Sequence, residues 1–175
     1  MRRRPVRTVG WSSVPSTPPP LPCVIPDSPA EMRHRIGKAT AVVRGTVVSS
    51  QVIGLAPPHA RQRETEFRFN VAEVMVGGLQ GGTEVLIAAI GSVELLRPVG
   101  VEHVVFLLLP NRPREGRERY AVLGGPLGRF ALWGDVCRLE CFRRGRVVEV
   151  AEMPRARFEV VLSAATRNED PQGRP

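Results

Sequence analysis

Apolar residues recur at a spacing of two along most of this chain and at spacings of three and four only near its ends, which predicts a β-dominated domain flanked by short helices. Residues 39–52 form the first strand-like run. Ala41, Val43 and Val47 fall on one side and Val42 and Val48 on the other, so the strand should be covered on both faces for part of its length. Gly45 interrupts the run and predicts a sharp bend or bulge, as a barrel corner requires. In the second run Thr65, Phe67, Phe69 and Val71 alternate with Glu66, Arg68 and Asn70, and the apolar positions then continue as Val74 and Val76. That step of three implies one inserted residue, a bulge near Ala72 and Glu73 that restores the inward face.

Gly77-Gly78 and Gly81-Gly82 flank a turn into a third run over 83–90, closed by Gly91. Residues 101–109 are the most hydrophobic segment and predict a central strand, ended by Pro110 and the polar loop 111–117. The sheet resumes over 119–123, and Gly124-Gly125-Pro126 connects it tightly to 127–133. After the Gly134-Asp135 turn, Cys137, Leu139 and Cys141 alternate with Arg138 and Glu140, and the loop 143–146 leads into 147–150. The loop 53–64, with Gly54, Pro57 and Pro58, is expected to be mobile.

Two helices bracket this pattern. Ser28-Pro29-Ala30-Glu31 is a capping box with proline at the first helical position, Met32 and Ile36 share the face it would bury, and Gly37 is placed to end it in a left-handed cap. At the other end Phe158, Val161, Leu162 and Ala165 make an apolar stripe that must lie on the open end or one face of a small barrel. The fold class is therefore mainly β (α+β), a small antiparallel barrel with a short N-terminal helix and a C-terminal amphipathic helix. The domain is expected over 28–166, with disordered ends at 1–27 and 167–175. Residues 1–27 begin with Arg2, Arg3, Arg4 and Arg7 and continue through six prolines, a composition that favours extended chain.

Composition changes this picture little. At 175 residues, 42% hydrophobic and 24% charged, the chain is one ordinary globular domain. No apolar run approaches the roughly 18–20 residues needed to span a bilayer. The net charge of +8 is carried by arginine, Lys38 being the single lysine. A solvated basic surface of GC-rich codon usage explains such a bias, and attraction to a polyanion is the functional reading. Residues 6–14 contain Arg7, Thr8, Gly10, Ser12 and Ser13 where a secretory signal needs an apolar stretch, so the chain either stays inside the cell or starts elsewhere.

The run Cys23-Val24-Ile25-Pro26-Asp27-Ser28-Pro29, the short helix and the strand 39–48 resemble the opening of bacterial netrin-like domains related to tissue inhibitors of metalloproteinases. Residues 67–74, 104–107 and 120–130 are similar to extracytoplasmic bacterial barrels of the same kind. The resemblance covers about 23–130 and implies an OB-like five-stranded barrel with flanking helices, set outside the cell. The family's Cys-x-Cys opening is here Leu21-Pro22-Cys23, and Cys23 stands 22 residues from the start, so inhibition of metalloproteinases is not implied.

Candidate chemistry is sparse. Cys137 and Cys141, four apart on one strand, would lie ~13 Å apart, beyond disulfide reach, and read as small apolar core residues. Cys23 can bridge one of them only if the tail folds back. The three histidines, His34, His59 and His103, give no metal-site signal, and for a nucleophilic pair of His103 with Cys137 the sequence offers no oxyanion motif. The expectation is a non-catalytic, monomeric binding module of the cell envelope or exterior, with no cofactor and no metal, acting on a protein or polyanion. The alternative is a barrel that binds single-stranded nucleic acid in a basic, aromatic groove, with Arg44, Arg68, Tyr120, Arg129 and Trp133 as the candidate contacts.

Overall fold

A computed structural model describes residues 23–54, 63–90, 96, 99–109, 118–143 and 146–167. Residues 1–22, the loop stretches 55–62 and 110–117, Gly91 and the end 168–175 lie outside the described residues, and with them most of the expected tails and most of the 53–64 stretch expected to be mobile.

The chain begins its packing earlier than the capping box. Cys23 and Ile25 are buried, and Cys23 is bonded to Cys141, so residues 23–27 belong to the folded body. The Ser28 hydroxyl accepts from the Glu31 amide at 3.3 Å and starts α1 (Pro29–Ile36). Glu31 reaches back to the Asp27 amide instead of that of Ser28. Gly37 keeps a right-handed φ of −62°, its N–H donating to the Arg33 carbonyl, so the expected left-handed cap does not form.

Strands β1 (Ala41–Gly54), β2 (Arg63–Val76) and β3 (Glu84–Ile90) form an antiparallel meander. Strand β4 (Glu102–Leu108) returns to pair with β1, and β5 (Arg119–Val122) pairs antiparallel with β4 and parallel with β3. The order β1-β2-β3-β5-β4 thus closes on itself through the β1–β4 pairing, an OB-like five-stranded barrel. Its one parallel seam is short, with Leu86 opposite Arg119 and Ile87 opposite Tyr120.

After β5 the chain leaves the sheet through Leu123, Gly124 and a 3-10 turn at Gly125–Gly128, and rejoins the same edge of β4 as β6 (Arg129–Trp133). Val122 pairs with Leu107 and Arg129 with Val105, so six residues of excursion face one residue of β4. From there β6 peels away from the barrel and pairs with β7 (Val136–Arg143), which pairs with β8 (Arg146–Pro154) at the sheet edge. Helix α2 (Arg155–Thr166) then folds back on the outer face.

Register shifts in the β1–β2 ladder supply the barrel's curvature. Arg44 faces Glu73 and Gly45 faces Val71, which leaves Ala72 unpaired at the bulge that the broken alternation predicts. A Cβ on Gly45 would collide with the Asn70 carbonyl oxygen, so glycine is required by this close approach. A third shift leaves out Val48, which is exposed. The double cover of β1 therefore stops near Val47.

Two cores result. Inside the barrel lie Ala41, Val43, Val47, Phe67, Phe69, Val71, Ile87, Val105, Leu107 and Tyr120. Outside it, between the sheet and the two helices, lie Ile25, Met32, Val42, Val104, Phe106, Phe130, Leu132, Cys137, Leu139 and the four apolar residues predicted for the α2 stripe. Phe130 sits at the centre of the second, 5.5 Å from Phe106 edge-on and 5.1 Å from Phe158.

Replacing Phe130 by alanine is expected to destabilise the protein by roughly 3–5 kcal/mol in urea unfolding. Val148→Thr, on the exposed side of β8, should stay within about 0.5 kcal/mol of the native protein.

Candidate functional site

Alternation in β2 sends Phe67 and Phe69 into the barrel and leaves Glu66 and Arg68 on its outer surface. The same phase in β3 turns Glu84 and Leu86 outward beside them. With Gln51, Glu118 and the edge of Tyr120 these side chains line a groove of about 840 Å³ over β2, β3 and β5. It is the face on which OB barrels commonly take their ligands.

Carboxylates dominate its charge. Arg68 is the one basic residue among its described lining, against Glu66, Glu84 and Glu118, and its Nε donates to Glu84 at 2.8 Å. Beneath the groove the buried Arg119 is held between Glu64 and Glu66, the latter at 3.0 Å. That guanidinium ties β5 to β2 over the intervening β3, and so reinforces barrel closure across a parallel seam only two residue pairs long.

The five candidate contacts do not form one basic, aromatic groove. Only Arg68 and Tyr120 share a surface. Tyr120 is 6% exposed, with its ring in the barrel core and its hydroxyl 3.5 Å from Glu118, so it offers no face on which a base can stack. Arg44 lies on the α2 side, paired with Glu159 at 3.2 Å and flanked by Glu73 and Glu102. Arg155 completes that lattice through Glu102 and Glu159, at 2.7 and 3.0 Å. Arg129 is 1% exposed, bonded to Glu140 and packed over the Phe142 ring, and burial lowers its pKa from the usual guanidinium value. Trp133 is 43% exposed at the far end of β6, beside Val136.

The cysteines depart from the sequence expectation. Cys141 is not a free core thiol: it is bonded to Cys23, 118 positions away in sequence, with Cα atoms 5.9 Å apart. Cys137 is the buried free thiol, and burial pushes it up to about 12. It pairs with Leu132, which pairs with Glu102, whereas His103 pairs with Ala131. Cys137 and His103 therefore occupy opposite faces of the sheet, and the nucleophilic pair is not assembled. Among the described residues no group of three His, Cys, Asp or Glu side chains could hold a metal ion, and no helix is long and apolar enough to cross a membrane.

The acidic lining was within reach of the alternation, since Glu66 and Arg68 share one phase of β2. The contribution of Glu118 and Tyr120 depended on barrel closure. The chain matches no protein-family model and no curated protein.

Burial raises the Tyr120 phenol above its ordinary value, and the facing Glu118 carboxylate adds to the rise. The neutral ring is favoured in the folded state, so its contribution is complete below the unfolded value of about 10 and is lost as pH climbs through the folded one. As Tyr120 is the single tyrosine, near-ultraviolet absorbance should give a native midpoint above that of the denatured chain. Tyr120→Phe should remove the corresponding alkaline loss of stability.

Proposed function

We propose that this protein is a non-catalytic binding module of the cell envelope or exterior, monomeric, and related to the netrin-like barrels. The observation that carries the reading is the bond between Cys23 and Cys141. Disulfides of this kind persist in oxidising compartments and are rare where glutathione and thioredoxin keep thiols reduced. The remaining thiol is buried and protonated at neutral pH, a structural cysteine in chemical behaviour. The netrin-like kinship is supported by the OB-like strand order, by a helix laid on the barrel's outer face, and by Cys23, ahead of α1, stapled to the sheet.

A protein partner is favoured over nucleic acid because the β2–β3 groove sets three carboxylates against one paired arginine. Single-stranded nucleic acid is the alternative that the net charge of +8 keeps in view. Electrostatic attraction of that sort should be measurable at low salt and vanish near physiological ionic strength. Binding that resists salt, and that Arg68→Ala or Trp133→Ala abolishes without loss of stability, would favour the nucleic-acid reading.

Trapping thiols in the producing cells and weighing the intact protein without reduction should give one disulfide and one free cysteine. A fully reduced protein in its native compartment would contradict the reading. Replacing Cys23 by serine is expected to cost roughly 2–5 kcal/mol, because the bond closes a long loop.

A further inference from the structure

The excursion that separates β5 from β6 leaves a second concavity, distinct from the β2–β3 groove. Between the end of α1 and the segment 123–128 lies a pocket of about 400 Å³, near the small end of the range for ligand sites, roughly 300–1,000 Å³. Phe106, itself fully buried, lies at its base, and Val24, Leu123 and Leu127 form apolar walls. Arg35 donates to the Leu127 carbonyl and to the Val24 carbonyl, both at 2.9 Å, and so fixes the two walls relative to each other. Gly124 and Gly128 contribute no side chain to fill the space. A Cβ on Gly128 would strike the Leu123 carbonyl, and Gly124 holds a φ of +63°, so both positions are committed to glycine by the backbone.

The charge of this pocket is one-signed. Every titratable residue in its described lining is basic: His34 and Lys38 are exposed at the rim and Arg35 lies deeper. Glu31, the acid of α1, is not part of that lining; it accepts from the Asp27 amide at the helix start and acts on Arg35 from one turn away. Lys38 forms no ion pair with a described carboxylate within 4.0 Å, in contrast to the arginines around α2.

We propose that this pocket binds a small apolar molecule carrying one carboxylate, of the size of a medium-chain fatty acid, with its chain over Phe106 and its head at Lys38 and His34. An apolar pocket with Lys38 at its rim complements that chemistry and disfavours amines. Charge draws the head to the rim, and each methylene removed from water adds to affinity until the pocket is full.

The test uses the full-length oxidised protein, decanoate as probe, and amide chemical shifts as readout. Decanoate should shift the amides of Val24, Leu123, Leu127 and Lys38 saturably. Affinity should rise roughly fourfold per methylene from hexanoate to decanoate. Decylamine should not bind there. The double substitution His34→Glu with Lys38→Glu, on exposed side chains, should keep the thermal midpoint and weaken decanoate roughly tenfold. Absence of shifts at those amides, equal binding of decylamine, or unchanged affinity in the double variant would overturn the proposal. So would a leucine-terminated peptide that shifts the same amides while decanoate does not, which would assign the pocket to a polypeptide end.

Discussion

Strand β4 is buried on both faces, and the rest of the molecule is arranged around that fact. Val105 and Leu107 point into the barrel, while Val104 and Phe106 point out into the layer beneath the helices. Along one edge β4 holds β1, and along the other it holds first β6 and then β5. A strand without a wet face must find cover on each side, and the closed barrel supplies one cover and the two helices the other. The Cys23–Cys141 bond draws the N-terminal segment onto the outer layer, where Ile25 and Met32 pack with Phe106, Phe130 and α2.

The divided edge of β4 also accounts for both concavities. Because β5 must close the barrel and β6 must leave it, the chain between them lifts off the sheet, and the glycine-rich excursion opens the apolar pocket above Phe106. The groove on the other side follows from closure itself. The parallel seam brings Tyr120 and Glu118 next to the outward face of β2 and β3, where Arg119 is already committed to Glu64 and Glu66. Some of the basic charge that looks free in the sequence is consumed in this way. Arg44, Arg119, Arg129 and Arg155 are structural ions, each matched to a carboxylate on another element.

Local pattern made much of this fold legible. The broken alternation between Val71 and Val74 located the bulge at Ala72, Gly45 marked the close approach to Asn70, and the stripe Phe158, Val161, Leu162 and Ala165 is the buried face of α2. Strand β8 runs past the predicted 147–150 because its later residues alternate between a half-covered and an exposed face and carry little apolar signal. What depended on distant partners was not legible. Cys23 and Cys141 meet only because the N-terminal segment crosses the outer layer, and no spacing encodes that. Tyr120 and Trp133 are aromatic residues on consecutive strands, yet one faces a closed interior and the other lies beyond the point where β6 leaves it. Residue type alone does not distinguish an arginine matched to a buried carboxylate from one available to a ligand.

If β4 serves both cores, the barrel and the helix-covered layer must unfold as one unit. Native-state hydrogen exchange across a denaturant series measures this directly. Amides of β4, of barrel strands such as β2, and of the outer layer in β7 and α2 should converge on one opening free energy equal to the global stability, with the exposed end of β8 exchanging earlier. Two separate opening energies, one for the barrel and one for the outer layer with β4 following only one of them, would contradict the account.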